Sequence, residues 1–234
     1  MSQGVHNLSG DNHHILDPSL TRYGEDQCRH LTLSFPYHDS VELLCSSPLV
    51  RTLQTTLLSF GPEIKKGMQI VALPDAQETS NVPCDTGKDP ESLREVMRGK
   101  PVDLSLVEDG WNNKTGIYSD TPEAIAARAR NLRRWLKARP EKEVVLVTHG
   151  GFLHWLTEDY TGFVSHLGTG WANTEFRSYQ FKDGERDSAS MVETVASREL
   201  RSGTEHPPSE TERLELQRTK SKESSSSKAL YPQV

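Results

Sequence analysis

VVLVTHGG, residues 144–151, is the stretch that says most about the architecture of this chain. Four consecutive β-branched or leucine residues without polar alternation are typical of a strand that is covered on both faces of a sheet. Gly150 and Gly151 then lead into residues 152–160, which read as a helix. His149 is therefore predicted to stand where a buried strand gives way to a helix, the place where parallel sheets collect their ligands.

A second strand-to-helix junction lies earlier in the chain. Residues 41–45 form a short apolar run, and Ser47 fits the N-cap of a helix over residues 49–60. Arg51 then falls in the first turn, where its positive charge opposes the helix dipole. An anion beside Arg51 would relieve that conflict. We therefore expect Arg51 and His149 to converge on one anion.

The other periodic segments complete an alternating pattern. Further helices are predicted over residues 25–34, 92–97 and 122–139, and a further strand over residues 68–73. In the helix over residues 122–139 the apolar stripe faces the sheet, and Arg128 and Arg133 are predicted to face outward. The alternation of strands and helices predicts an α/β three-layer sandwich with a mostly parallel sheet.

These junctions and two further motifs resemble the histidine phosphatase superfamily, also called phosphoglycerate mutase-like. The four motifs are QGVHN at 3–7, LTRYG at 20–24, SPLVRTLQT at 47–55 and THGG at 148–151. The resemblance covers roughly residues 3–182. The long insert after Glu78, with PCDTG at 83–87, is similar to the fungal branch of that superfamily. The resemblance implies a phosphoglycerate mutase-like sandwich and phosphoryl transfer through a phosphohistidine.

One part of the family signature has no counterpart in the chain as written. If Asn7 holds the position of the Asn that closes the Arg-His-Gly signature, Met1 falls where the nucleophilic His should be. The first strand, which is internal to the sheet in the family, is missing too. Its loss would leave two ladders of backbone groups unpaired, so we expect the chain to fold poorly.

Three explanations of this departure stay open. The chain can begin at an internal Met, it can be an inactive or repurposed relative that binds a phosphorylated or anionic ligand, or its chemistry can need only the remaining pocket. The downstream site residues survive, which favours the first explanation.

The resemblance also implies roles for individual residues. Arg51 and His149 would hold the phosphoryl group, and Glu78 would protonate the leaving alkoxide as a general acid. Other carboxylates that compete for the role of the acid are Asp75, Asp85 and Glu95. The remaining phosphate-binding residues would be Asn7, Gly4 and the N–H of Gly150. The scheme requires no metal and no cofactor.

The expected substrate is a small phosphorylated metabolite, which the sequence does not identify. Phosphatase activity is favoured over mutase activity only because it is more frequent in the family. The insert over residues 79–119 is expected to cap the pocket, with Trp111, Lys114 and Tyr118 as possible lining residues. The oligomeric state stays open.

A different class of phosphatase is suggested by Cys45 and Arg51, which have the Cys-x5-Arg spacing of cysteine-dependent phosphatases. Those loops wrap phosphate in consecutive backbone N–H groups, and here Pro48 removes one of them. No basic residue precedes Cys45 to lower its pKa. The reading based on His149 is therefore preferred.

Composition limits the remaining possibilities. A net charge of −6 argues against nucleic-acid binding, and no apolar run approaches the roughly 18 residues of a membrane span. Three cysteines at unrelated spacings indicate reduced thiols and a cytoplasmic protein, with nuclear entry not excluded. His6, His13 and His14 fit no zinc template.

The chain is predicted to divide into one domain and a tail. Residues 1–183 would form the phosphoglycerate mutase-like domain. Residues 184–234 are rich in Ser, Glu, Arg and Lys and have one aromatic residue, Tyr231, so they are predicted to be disordered. A short helix over residues 210–222 is an alternative within that tail.

Overall fold

A four-stranded parallel sheet forms the middle layer of the fold. The computed structural model describes residues 14–160, 170–184 and 187–201. The strands of this sheet are β1 (Leu43–Ser46), β2 (Ile70–Ala72), β3 (Val102–Asp103) and β4 (Val144–Val147). Their order is β3-β2-β1-β4, and each pairing is parallel.

Helices cover both faces of the sheet. In the described residues they are α1 (Arg22–Ser34), α2 (Val50–Ser59), α3 (Gly61–Lys65), α4 (Pro90–Val96), α5 (Pro122–Lys137), α6 (Gly150–Thr157) and α7 (Val195–Leu200). Successive residues of a strand point to opposite faces. Leu43 and Cys45 accordingly join a core with α5 and α6, whereas Leu44 joins a second core with α2 and α4. The predicted three-layer α/β/α sandwich is confirmed.

Strand β4 is less buried than its composition predicts. Every residue of β4 is only partly buried, whereas every residue of β1 is buried. Within the described residues β4 has β1 as its only neighbour in the sheet, so it lies at the end of the sheet. That position explains the exposure. The expectations that the first strand of the family is missing and that the chain therefore folds poorly are not tested by the described residues and stay predictions.

The start of α2 differs from the prediction, and the assignment of Ser47 as its N-cap is wrong. The helix begins at Val50, and its N-cap is Leu49, which makes no side-chain cap bond. The N–H of Val50 instead donates to Asp17 Oδ1 at 2.9 Å. A carboxylate far away in sequence therefore caps α2 and leaves the Ser47 hydroxyl for another contact.

Helices α1 and α6 also begin earlier than predicted, and α4 likewise begins at Pro90 instead of Ser92. Helix α1 begins at Arg22, because Thr21 is its N-cap and its hydroxyl accepts from the N–H of Gly24 at 3.1 Å. Helix α6 begins at Gly150, so both glycines of the THGG motif belong to its first turn. The side-chain cap from Thr21 thus sets the start of α1. The start of α6 is set by β4, because the helix begins three residues after that strand ends.

The outward orientation predicted for Arg128 and Arg133 on α5 is also wrong, since both are buried. Arg133 donates to the carbonyls of Trp155 and Leu156 near the end of α6, at 3.0 and 3.1 Å. It also donates to the Ser188 carbonyl at 3.0 Å. The side of α5 that faces α6 is therefore lined by guanidinium groups that satisfy backbone carbonyls.

Ordered structure continues past the predicted domain boundary at Gly184. Strands β5 (Tyr179–Phe181) and β6 (Met191–Glu193) form an antiparallel hairpin, and α7 follows with Thr194 as its N-cap. Arg201 closes α7 with two bonds to Glu193, at 2.8 and 2.6 Å. The predicted disorder is therefore wrong for residues 187–201. The alternative helix over residues 210–222 lies outside the described residues.

A search of the described residues for membrane spans gives a negative result. None of their helices combines the length and the apolar character that crossing a bilayer requires.

The remote cap of α2 yields a stability prediction. Asp17 accepts N–H bonds from Val50 at 2.9 Å and Lys88 at 3.1 Å, and its own backbone has a positive φ of 42°. We expect Asp17→Ala to lower the free energy of unfolding by about 1 to 2 kcal/mol, because the cap is lost and Ala disfavours that backbone conformation. Urea denaturation measures the change.

Asp17→Asn is the matched variant. Its amide oxygen can still accept from Val50 and Asn tolerates positive φ, but its amide NH2 cannot accept from the N–H of Lys88 as Asp17 Oδ2 does. We expect it to lose less stability than Asp17→Ala. Equal losses in the two variants would contradict the capping role.

Candidate active site

Arg51 and His149 lie side by side at the carboxyl ends of the parallel strands. Arg51 Nη2 is 3.2 Å from His149 Nδ1, and the two residues are 0% and 1% exposed. Arg51 comes from the first turn of α2, which follows β1, and His149 comes directly after β4. Because β1 and β4 are neighbours, the two junctions meet. The predicted closeness of Arg51 and His149 is confirmed.

The protonation of His149 follows from its partners. A guanidinium can only donate, so Nδ1 of His149 accepts from Arg51. The ring proton is then on Nε2, which lies 2.9 Å from Ser47 Oγ and donates to it. Ser47, released from the cap of α2, orients the imidazole. Sequence analysis missed this contact because the N-cap interpretation had already used the hydroxyl.

A third part of the chain supplies an anion to Arg51. The 3-10 turn Pro83–Asp85 places the Asp85 carboxylate 2.9 Å from Arg51 Nη2. The carbonyl of Cys84 accepts a short hydrogen bond from Arg51 Nη1. Ser80 Oγ donates to the other oxygen of Asp85 at 2.5 Å. The buried charge of Arg51 is thus compensated within the protein.

Glu78 reaches the same region from the loop after β2. Its carboxylate accepts from the N–H of Gly151 at 3.3 Å and from the N–H of Thr79 at 2.8 Å. A Cβ on Gly151 would lie 2.6 Å from Glu78 Oε1. The absence of a side chain at Gly151 therefore leaves room for the Glu78 carboxylate at the start of α6, two residues after His149.

The backbone of Glu78 is held by two cationic side chains. Lys114 Nζ donates to the Glu78 carbonyl at 3.0 Å. Arg128 donates to the carbonyls of Asp75 at 3.0 Å and Glu78 at 3.4 Å, and its guanidinium lies 4.5 Å from the ring centre of Phe152 on α6. Arg128 therefore fixes the loop of Glu78 against the helix that follows His149. Sequence analysis missed this role because the spacing of Arg128 placed it on the outer face of α5.

The local electrostatics reflect the crowding of these cations. Burial is the main cause that lowers the pKa of Lys114 to about 8, and the positive charges of Arg128 and Arg51 add to it, while Asp85 and Glu78 oppose it. Burial also lowers the pKa of Arg128 to about 10. The neutral form of Lys114 is therefore accessible at mildly alkaline pH.

The three insert residues predicted to line the pocket have different positions. Lys114 reaches the site, with a positive backbone φ of 53°. Trp111 is 1% exposed and belongs to the core with α2 and α4. Tyr118 packs partly buried against that same core. The prediction for Trp111 is therefore wrong, because its indole fills the core beneath the insert.

The carboxylates considered as alternatives to Glu78 differ from it in exposure and in bonding partners. Glu95 is exposed on α4 and pairs with Arg98. Asp75 is partly buried, and burial raises its pKa. Asp85 is bound to Arg51 and Ser80. Glu78 is the carboxylate that lies against the start of α6.

Of the three other predicted phosphate-binding residues, the structure describes one. Gly150 is the first residue of α6, directly after His149. Asn7 and Gly4 lie outside the described residues, as do His6 and His13. Among the residues that the structure describes, no group of three or more His, Cys, Asp or Glu side chains could hold a metal ion.

Cys45 is unsuited to the alternative chemistry. It lies within β1, is 0% exposed and belongs to the apolar core formed with α5 and α6. Burial raises the pKa of its thiol to about 12, so the thiolate is scarce near neutral pH. Arg51 and Cys45 are therefore parts of different environments despite their spacing.

Comparison with known proteins agrees with this architecture. The family model of the histidine phosphatase superfamily (branch 1) matches residues 3–194. That match includes most of the chain, so the chain belongs to the histidine phosphatase superfamily. Members of this superfamily are typically phosphatases or mutases.

Two relatives from Arabidopsis thaliana share the likeness. The chain is 33% identical to Phosphoglycerate mutase-like protein 1 over 189 residues, which cover 65% of this chain and 66% of the relative. It is 27% identical to Phosphoglycerate mutase-like protein over 197 residues, which cover 68% of this chain and 72% of the relative. The chain thus spans just under two thirds of the first relative.

The pKa of Lys114 yields a prediction about pH. Because that pKa is lowered from 10.5 to about 8 on folding, the unfolded chain binds more protons than the folded protein between these values. Stability linked to Lys114 therefore rises with pH across that window. The test compares the native protein with Lys114→Met. The quantity compared is the free energy of unfolding of the native protein minus that of the variant. We expect this difference to increase as the pH is raised from 8 to 10.5.

Chemical denaturation at a series of pH values measures this difference. Lys142→Met is the control, since Lys142 is exposed, and its difference from the native protein should not change with pH. A difference for Lys114→Met that stays constant across the window would contradict the burial of a charged ammonium.

Proposed function

We propose that this protein binds and transfers the phosphoryl group of a small phosphorylated metabolite, as a phosphomonoesterase of the histidine phosphatase type. One observation carries the proposal. The Arg51 guanidinium and the His149 imidazole lie within 3.2 Å of each other, buried at the carboxyl ends of adjacent parallel strands. Phosphate esters and other anions collect at such positions.

The chemistry of phosphate ester cleavage suits these groups. Unaided hydrolysis is so slow that an enzyme must lower the barrier by roughly 20 kcal/mol or more, mostly through positioning and stabilisation of charge on the phosphoryl oxygens. Arg51 offers a planar fork of donors for two of those oxygens. His149, whose imidazole is oriented by Ser47, accepts from Arg51 Nη2 and thereby positions that fork.

Glu78 is proposed as the acid that protonates the leaving alkoxide. Its carboxylate lies against the N–H of Gly151, two residues beyond His149, and Lys114 and Arg128 hold its backbone. Asp85 is less suited to this role, because both of its oxygens have partners, Arg51 and Ser80. Superfamily membership supports a phosphatase or mutase in general, and hydrolysis is the specific proposal.

The covalent intermediate would be a phosphohistidine on the nucleophile that the family resemblance places at the position of Met1. Binding without turnover is the second candidate function, because the described residues supply partners for a phosphoryl group, whereas the position of the nucleophile lies outside them. Arg51 and His149 would serve both functions equally. A cytoplasmic location is part of the proposal and is supported by the three reduced thiols.

Two measurements on the same protein separate the candidates. Calorimetric titration with inorganic phosphate tests the shared binding step. Incubation with a phosphomonoester labelled in its phosphoryl group tests transfer, because a phosphohistidine is labile in acid and stable in base. A form extended upstream of Met1 by its own coding sequence is treated in parallel. Released inorganic phosphate distinguishes hydrolysis from transfer to a second metabolite.

We expect phosphate binding in both forms, and Arg51→Lys should weaken it about tenfold or more because a lysine lacks the bidentate fork. Arg94→Lys, on the exposed face of α4, is the control and should bind as the native protein does. Protein-bound label supports transfer, and binding without label in both forms supports the second candidate. Undetectable phosphate binding by the folded native protein would end both.

Cys45→Ser tests the class of phosphatase. The thiol is buried in the apolar core away from Arg51, so we expect phosphate binding and any hydrolysis to stay unchanged. Loss of hydrolysis in Cys45→Ser with an unchanged near-ultraviolet circular dichroism spectrum would favour a cysteine nucleophile instead.

A further inference from the structure

Asp85 already occupies the guanidinium that the proposed phosphoryl group needs. Its Oδ1 accepts from Arg51 Nη2 at 2.9 Å, and the Cys84 carbonyl accepts from Arg51 Nη1. The Arg51 and Asp85 side chains are 1% and 7% exposed. One short stretch of the insert therefore engages both terminal nitrogens of Arg51.

A carboxylate and a phosphoryl group compete for the same donors. Each presents two oxygens in the plane of a guanidinium, and each gains most from the charge-assisted bonds to its terminal nitrogens. A phosphoryl group that approached Arg51 with Asp85 in place would also meet the negative charge of Asp85 at close range in a buried site. The two anions therefore exclude each other at Arg51.

The stretch that carries Asp85 is fixed at its two ends. On one side, Lys114 and Arg128 bind the carbonyl of Glu78. On the other side, Gly87 lies so close to the indole of Trp111 that an added Cβ would come within 2.1 Å of the ring. The two ends thus stay attached to α5 and to the core of the insert.

Between these fixed ends, residues 79–86 lie over Arg51 with their outer side in solvent. Asn81 and Pro83 are exposed, and Asp85 and Cys84 face inward and are buried. The Pro83 carbonyl accepts one bond from the N–H of Asp17 at 3.2 Å. Departure of the stretch from Arg51 would break this bond and the bonds to Arg51, and it would leave the contacts at the two ends in place.

We propose that Asp85 is an internal competitor for the anion at Arg51, and that a phosphoryl group binds by displacing the Asp85 carboxylate together with residues 79–86. The inference rests on the proposed binding of phosphate by Arg51 and His149. Without a ligand, Asp85 compensates the buried charge of Arg51, which would otherwise be left unpaired. The apparent affinity for phosphate equals the intrinsic affinity multiplied by the fraction of molecules in which Asp85 has left Arg51.

Calorimetric titration of the full chain with inorganic phosphate tests the competition. Asp85→Asn keeps the size of the side chain and removes its charge, so Arg51 becomes available to phosphate. We expect the affinity to rise about tenfold or more, which corresponds to about 1.4 kcal/mol. Asp89→Asn is the matched control. Asp89 is exposed on the same insert and caps α4, a role that Asn fills equally well, so its affinity should not change.

The possible outcomes separate this inference from the proposed function. An equal or weaker affinity in Asp85→Asn overturns the competition, and a weaker one would mean that Asp85 holds Arg51 in its binding position. A folded native protein and a folded Asp85→Asn variant that both fail to bind phosphate would overturn the proposed function itself.

Labelling of Cys84 in the native protein provides a second measurement that does not depend on the folding of the variant. The Cys84 thiol is 1% exposed, and burial followed by the charge of Asp85 raises its pKa to about 12. If phosphate displaces the stretch, alkylation of Cys84 should accelerate severalfold, although the phosphate charge alone would slow it. Cys28, 0% exposed on α1, is the internal reference. Phosphate that leaves Cys84 labelling unchanged, or slows it, contradicts the displacement.

Discussion

The buried positive charge of Arg51 is the constraint on which the arrangement of the site depends. A guanidinium without exposure to water needs anionic and carbonyl partners, and removing one partner of a buried pair typically costs about 3 to 5 kcal/mol. Asp85 and Cys84 supply those partners from the insert, and His149 completes the set from the end of β4. The position of Arg51 therefore draws together two strand ends and a loop that are far apart in sequence. It also makes the unliganded protein carry its own anion at the place where the substrate would bind.

Two buried arginines of α5 connect the loop of Glu78 and helix α6 to one another. Arg128 ties the loop of Glu78 to α5 and packs over Phe152 of α6. Arg133, five residues further along α5, binds carbonyls near the end of α6 and in the hairpin region at Ser188. Helix α5 thus connects the general acid proposed at Glu78, the helix that follows His149 and the β5–β6 hairpin. This connection explains why ordered structure extends beyond the point where the composition becomes polar.

Three of the errors of prediction share one physical origin. Helical spacing placed Arg128 and Arg133 on the solvent side of α5, yet carbonyl groups from other segments supply the hydrogen bonds that their burial requires. Ser47 had the right residue type for a cap, but Asp17, 33 residues before Val50, supplies the acceptor for the Val50 N–H, and Ser47 binds His149 instead. Residues 187–201 look polar as a sequence, but Glu193 is satisfied by Arg201 and Ser197 once the hairpin forms. In each case a polar group makes its hydrogen bonds with residues that come close to it only when the chain has folded.

The alternation of strands and helices, the parallel sheet and the two junctions that deliver Arg51 and His149 could be predicted from the amino-acid sequence. Those features follow from local periodicity and from the rule that neighbouring parallel strands end at the same edge, and both can be read from residues close together in the chain. Three contacts became known from the folded structure alone: Asp85 neutralises Arg51, Ser47 orients His149 and Arg128 holds the loop of Glu78. Hydrogen bonds and ion pairs between distant segments depend on distances of about 3 Å, and no periodicity in the sequence specifies them.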